Sequence, residues 1–258
     1  MNLFGFESLV RWNHPTRGLV PPIEFIPVSE DTGFIIPLTL WILRTSCAQM
    51  VEWQRKSPEN KNLVVSVNLS GKHFAQKDLV EQIKTILIET EMNPACLKLE
   101  LTESAVMENA ESVITMMKEL RDLGIQLSID DFGTGYSSLS YLHRFPINTL
   151  KVDRSFVNTM EDGSENGEIV RTVIALAKTL RLNVVAEGIE TIHQLHQLRI
   201  LGCEYGQGYL FSRPVPVEEA ERLITDTYRF GKVLQPHIIA QALPSSDIPH
   251  LLMQKDSF

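Results

Sequence analysis

Seven segments of this chain obey one rule: an apolar, largely β-branched run stops abruptly at acidic, amide or lysine side chains. They read LFGFESLVRW with Glu7, VVSVNLS with Asn68, LKLELTES with Glu100 and Glu103, IQLSIDDFGTG with Asp130 and Asp131, TLKVDRSF with Lys151 and Asp153, NVVAEGIE with Glu187 and Glu190, and CEYGQGYLF with Gln207. One such ending is an ordinary strand-to-loop boundary. Seven in series predict strands that deliver polar groups to a common mouth, as in a (β/α) barrel whose site lies at the C-terminal face.

Helical periodicity fills the intervals. Apolar residues recur at three- and four-residue spacing over residues 38–54, with Pro37 suited to a first turn, and over 77–90, where Asn93-Pro94 follows. Further helices are expected over 104–123, ended by Gly124, over 168–182, over 191–201 before Gly202, and over 217–228. Strands alternating with helices of this length imply a parallel sheet, and 258 residues match one (β/α)8 barrel. The expected fold is therefore α/β and barrel-like over residues 1–228, with 229–258 as a C-terminal tail of unknown role. Only seven strands can be counted, and the shortfall is at the front.

Composition removes several classes of function. Hydrophobic content of 43% with 22% charged residues suits a globular core, and a net charge of -8 opposes broad binding of duplex nucleic acid. Cys47, Cys96 and Cys203 have no metal-binding or disulfide spacing and read as reduced thiols. The longest apolar stretch, residues 33–43, is too short to span a bilayer and contains Pro37, and the N-terminus lacks a basic leader region. The expectation is a cytoplasmic domain without direct membrane insertion.

The chemistry is carried by carboxylates. Asp130-Asp131 could simply cap a helix, and Lys151-Val152-Asp153 could hold a structural ion pair. Jointly, however, Glu7, Glu100, Asp130, Asp131 and Glu187 would crowd one mouth and repel each other. Divalent cations relieve that repulsion, and oxygen donors with the Asn68 amide suit Mg²⁺ or Mn²⁺ rather than zinc. His193 and His196 have a metal-compatible spacing but read as a solvated helix face.

The ordered set GFESLVRW, PPIEFIPVSEDTG, VNLS, LELTES, DDFGTGYSSLSYL, KVDRSF, VVAEGIET and GCEYGQGYLFSRP closely resembles EAL-domain phosphodiesterases, which hydrolyse cyclic di-GMP. The resemblance implies a TIM-like barrel of EAL type whose first strand runs antiparallel, and that N-terminal strand is missing from the motifs seen here. It also implies two Mg²⁺ or Mn²⁺ ions per site, one held by Glu7, Asn68, Glu100 and Asp130 and the second by Asp131 with the shared Asp130. Glu187 is the implied general base, Lys151 the cation near developing charge, and Gln207 the group that orients water. Leu9, Arg11, Asp153 and Pro214 would meet substrate, Glu103 would pin the loop containing Gly133 and Gly135, and Glu190 would support the site from behind.

Ser8 stands where the family's name-giving triplet has Ala, a small-for-small change expected to leave Glu7 in place. Without a first strand, the edge beside Glu7 is expected to be unpaired. Gln235-Pro236 in the tail superficially resembles the lost strand, but a segment after the last helix would run the opposite way, so replacement is not expected. The expected activity is cleavage of cyclic di-GMP to linear pGpG. The rival reading is a module that binds the nucleotide or a protein without turnover. A homodimer is expected through residues 137–144, where Leu139, Tyr141 and Leu142, followed by Phe145, are more apolar than a solvated helix needs.

Overall fold

The computed structural model describes residues 3–108, 110–135, 139–160, 164–230 and 237–238. All seven expected strands form, as β1 (Gly5–Ser8), then, after a short hairpin β2 (Trp12–His14) and β3 (Gly18–Val20), β4 (Val64–Asn68), β5 (Leu97–Thr102), β6 (Gln126–Phe132), β7 (Thr149–Val152), β8 (Asn183–Ala186) and β9 (Tyr205–Gly206). Neighbours in the order β1-β4-β5-β6-β7-β8-β9 are all parallel. The hairpin, whose three-residue strands are too short to show a period in sequence, is the antiparallel pair among the described residues and forms a separate sheet.

Helices cover the outside of this curled sheet: α1 (Pro22–Thr32), α2 (Ile35–Lys56), α3 (Leu79–Thr90), α4 (Glu103–Glu108), α5 (Ala110–Asp122), α6 (Leu139–Leu142), α7 (Arg154–Asn158), α8 (Glu165–Thr179), α9 (Ile192–Leu201) and α10 (Val217–Phe230). Local chemistry sets their ends. Thr191 and Gln194 form a reciprocal capping box at the start of α9, and Gly202 at φ 77° closes it. Gly33 at φ 74° separates α1 from α2, so the apolar stretch read as one block begins in a turn. The helix expected over 104–123 is divided. α4 keeps Glu103 at the mouth, whereas α5 lays Val113, Ile114, Met117 and Leu120 along the outside of the sheet. One straight helix could not serve both directions.

Strand alternation divides polar from apolar. In β5, Leu97, Leu99 and Leu101 pack under the helices, while Lys98 and Glu100 line the barrel interior. In β1, Phe6 meets the Trp53 ring of α2 with centroids 5.2 Å apart, and Ser8 Oγ lies 2.7 Å from Ser46 Oγ of the same helix. Ser8 thus points outward and Glu7 inward, so the departure from Ala is absorbed by α2 and leaves Glu7 in the mouth. Gly5 is the close-approach point of the β1–β4 pair, since a Cβ there would lie 2.1 Å from the Val64 carbonyl oxygen.

The edge expected beside β1 is partly filled. His237–Ile238 forms a tenth strand, β10, parallel to β1 with Glu7 opposite His237 and Ser8 opposite Ile238. This corrects the expectation of an unpaired edge. The direction is the one anticipated for a segment following the last helix, and a parallel strand still satisfies some of the edge N–H and C=O groups. No ladder joins β9 to β10 among the described residues. Side chains bring the sheet's ends together instead, with Phe4 and Tyr205 rings 4.6 Å apart and Gln207 donating to Glu7.

The dimer expectation loses part of its basis. Leu142 and Phe145 are buried in the core, which accounts for their apolar character within one chain, and Tyr141 packs partly against it with Arg144 over its ring. Residues 137 and 138 lie outside the described residues, as does the side chain of Leu139. No described helix is long and apolar enough to cross a membrane.

Two measurements check this architecture. Gly5→Ala should lower unfolding free energy by roughly 1–3 kcal/mol in denaturant titration, because the added methyl must displace backbone rather than a flexible side chain. Deleting residues 231–258 should lower the melting temperature by removing the strand beside β1; an unchanged value would show that β10 adds nothing to the edge.

Candidate metal and phosphodiester site

The strand ends converge on Lys151. Its side chain is 2% exposed, and Nζ lies 2.5 Å from Glu100 Oε2, 2.9 Å from Asp130 Oδ2, 2.5 Å from Glu187 Oε1 and 3.9 Å from Glu7 Oε2. Burial alone would depress this ammonium, but Asp130, Glu100, Glu187 and Glu7 more than reverse it and hold its pKa well above the usual lysine value. Lys151 is therefore a permanent cation at the floor of the mouth.

One lysine does not neutralise the surrounding acids. Burial first, and then the neighbouring Glu7 and Asp130, push Glu100 up to about 7 against the opposing pull of Lys151. Burial, with Asp130 and Asp153, raises Asp131 to about 6. Glu187 is likewise held well above its ordinary value, again with burial as the largest cause. Asp153 departs the other way. Its burial is outweighed by hydrogen bonds from Ser155 and Asp131, and its Oδ1 caps α7 by accepting from Ser155 N at 2.9 Å.

Asp130 and Asp131 both reach the mouth although neighbours on a regular strand face opposite ways. The backbone resolves this conflict. Asp131 adopts φ 54°, and the pairing of β6 with β7 shifts register between Ile129 and Phe132. Carboxylate oxygens from Asp130, Asp131 and Glu187 then lie within 4.8 Å of one another, a grouping able to hold a metal ion. Glu7 joins the cluster through hydrogen bonds from Asn68 Nδ2 at 2.8 Å and Gln207 Nε2 at 3.2 Å. Gln207 also donates to Glu187 at 2.7 Å, so this amide bridges β1 and the segment that follows β8.

Above this floor lies a cleft of about 430 Å³ that Leu9, Arg11, Asp131, Asp153, Glu187, Glu190, Gln207 and Pro214 help to line. Arg11 donates to the Val10 carbonyl at 2.8 Å. Glu103, 3% exposed, accepts from the Gly133 N–H at 2.9 Å, and a Cβ on Gly135 would come within 2.9 Å of its Oε1. The glutamate thus grips the first part of the glycine loop, whose residues 136–138 lie outside those described. Glu190 is exposed on the cleft wall, with its backbone N–H donating to Gln194 Oε1; its position is at the rim rather than behind the acids. His193 and His196 are exposed on α9, as expected for a solvated face.

The motif reading missed four residues. Arg154, Asn158 and Tyr209 line the cleft, and Lys98 lies inside the barrel beneath Glu100 with its ammonium 5.3 Å from the Phe4 ring centroid. Signals for some were present. Arg154 and Asn158 are four apart in DRSFVN, one turn of helix, and Tyr209 follows Gln207 at strand spacing.

Comparison with known proteins agrees with this geometry. MucR of Pseudomonas aeruginosa, named a bifunctional diguanylate cyclase/cyclic di-GMP phosphodiesterase, is 42% identical over 217 residues, covering 84% of this chain and 31% of that protein. NbdA of the same organism, named a cyclic di-GMP phosphodiesterase, is 44% identical over 224 residues, covering 87% of this chain and 28% of that protein. This chain therefore spans about a third of the length of these relatives. The structure of the PaMucR phosphodiesterase in complex with c-di-GMP superposes with a TM-score of 0.81 at 41% identity, over 84% of this chain and 87% of that one. With residues 1–214 also matching the EAL domain as a family, and with its barrel and acidic strand ends in place, this chain belongs to the EAL domain family.

Proposed function

We propose that this chain is a metal-dependent phosphodiesterase that cleaves one phosphodiester bond of cyclic di-GMP, giving linear pGpG and lowering the level of that second messenger. The observation that carries the reading is the convergence of Glu7, Glu100, Asp130 and Glu187 on buried Lys151, beside Asp131, at the floor of a cleft. The names of MucR and NbdA supply the substrate class. On this reading, action on an intracellular messenger supports a cytoplasmic domain.

The donors fit a pair of hard divalent cations. They are oxygens throughout, and the carboxylates of Asp130, Asp131 and Glu187 come within 4.8 Å of one another. Mg²⁺ or Mn²⁺ would be held by Glu7, Asn68, Glu100 and Asp130, and by Asp131 with the shared Asp130. When bound, such ions polarise the phosphodiester and neutralise charge that develops on it.

The chain's own groups do the rest. Glu187 accepts the proton of the attacking water; both its contacts, from Lys151 and Gln207, fall on Oε1, and the residue lines the cleft. Gln207, fixed between Glu187 and Glu7, orients that water. As the new P–O bond forms, the bond to the ribose oxygen breaks, and the released oxygen takes up a proton. Lys151 remains protonated throughout and stabilises the negative floor. Arg11, Asp153, Leu9 and Pro214 hold the nucleotide, while Glu103 steadies Gly133 and Gly135 at the rim.

Hydrolysis of cyclic di-GMP should require Mg²⁺ or Mn²⁺ and stop in excess EDTA. Ca²⁺ should occupy the site without supporting turnover, because it takes more ligands at longer distances. Full activity with Ca²⁺ alone or in EDTA would contradict the metal assignment. Glu187→Gln should lower the turnover rate by about 10²–10⁴-fold with nucleotide binding retained, measured on one preparation by product chromatography and calorimetry. Near-normal turnover would move the base role elsewhere; binding without turnover in the unmodified chain would favour the binding-module reading.

A further inference from the structure

We propose that a water molecule is bound inside the barrel beneath the acids, between the Lys98 ammonium and the Glu100 carboxylate, and that Lys98 acts through it as a positioning residue for Glu100. The water site stands apart from the phosphodiesterase reading; its consequence for metal binding rests on the metal assignment within that reading.

The interior of such a barrel is ordinarily filled by branched apolar side chains. Here the inward positions below the mouth are polar. Lys98 and Glu100 follow one another on one face of β5, Ser66 lies opposite Lys98 on β4, and Ser128 and Thr149 continue the row of Glu100 on β6 and β7. Lys98 is 5% exposed, and Ser128 and Thr149 are fully buried. Among the described residues Lys98 forms no ion pair or hydrogen bond; what its ammonium meets is the Phe4 ring. The Ser128 and Thr149 hydroxyls likewise have no partner. Buried polar groups left unpaired carry a desolvation cost, and internal water is the ordinary remedy.

The nearby acceptor lacks donors in turn. Glu100 is 3% exposed, and a carboxylate offers about four acceptor sites, yet among the described residues its donor is Lys151, at Oε2. Glu7, the other acid facing the same space, already receives Asn68 on Oε1 and Gln207 on Oε2. A cavity of about 20 Å³ lies between these groups, lined by Glu7, Ser66, Lys98, Glu100 and Lys151. A water needs on the order of 10–15 Å³ of such space and two to four polar partners, so the cavity takes one. Placed there, the water accepts from Lys98 and donates to Glu100, fixing that carboxylate from beneath while Lys151 holds Oε2. Contacts of this kind orient metal ligands, and losing one typically costs about 10–100-fold in metal affinity or activity.

A crystal structure of the whole chain with Mn²⁺ bound should show water within hydrogen-bonding distance of both Lys98 Nζ and Glu100. Direct contact between the two side chains, or an empty cavity, overturns the site. Calorimetry should show Mn²⁺ binding about tenfold weaker in Lys98→Met, which keeps the side chain's length but no donor, and less weakened in Lys98→Gln, which keeps a donor. A general loss of packing would instead lower the number of binding-competent molecules without moving their affinity. Equal affinity in the unmodified chain and Lys98→Met overturns the positioning role. Tighter binding does so too, since it would mark Lys98 as a charge that merely opposes the ions, as does equal weakening in both variants. If Lys98→Met fails to fold, the crystal structure and Lys98→Gln decide. A chain that binds no Mn²⁺ would sink the metal assignment together with the positioning role, while water on Lys98 would still support the site. A chain that binds Mn²⁺ but leaves cyclic di-GMP uncleaved would sink the phosphodiesterase reading and leave the Lys98 result standing.

Discussion

The buried ammonium of Lys151 is the constraint around which the mouth of this barrel is arranged. An ammonium taken out of water is strongly disfavoured unless acids surround it, and carboxylates crowded together are disfavoured unless a cation lies among them. Each half of the arrangement makes the other tolerable. Strands β1, β5, β6 and β7, with the segment after β8, must end in register for four carboxylates to reach one Nζ. Such a cluster is weak evidence for stability, since apolar residues of similar volume could replace it at little loss. Its value lies in the site, because acids from separate strand ends converge on one cation and three of them lie close enough to hold a metal ion.

The rest of the structure can be understood as support for that floor. Apolar side chains alternate out of the strands toward the helices, which leaves inward positions such as Glu7, Glu100 and Lys151 to chemistry rather than packing. Gly5 permits β1 to approach β4 closely, and Ser8 fastens β1 to α2, so Glu7 is held although its strand lies next to the last pairing made by the tail. Gln207 then ties the two ends of the sheet through their functional groups, where backbone pairing does not.

Basic side chains around the mouth are divided in the same way. Lys151 serves the acids, Arg213 lies over an aromatic ring, and Arg154 lies on a wall braced by Gly188 and Asp153. Three basic side chains of nominally equal charge thus differ in what they are able to meet, and their surroundings rather than their identity make the difference.

The sequence by itself determined the seven strands, their polar endings and the order in which they enter the mouth, because period-two alternation and abrupt apolar-to-acidic boundaries are local signals. Most helices were legible for the same reason, although the split between α4 and α5 was not, since it reflects where the barrel surface lies. Motif resemblance identified the acids individually. Tertiary structure decided the rest: that Asp131 turns to the mouth through a left-handed backbone and a register shift, that Ser8 spends its hydroxyl on α2, and that Leu142 and Phe145 belong to the core. It also decided that His237–Ile238 lies beside β1, and that Arg154 and Asn158 share a wall with Glu187. These are juxtapositions of residues far apart in the chain, or departures from ideal backbone geometry, and neither leaves a periodic trace in the sequence.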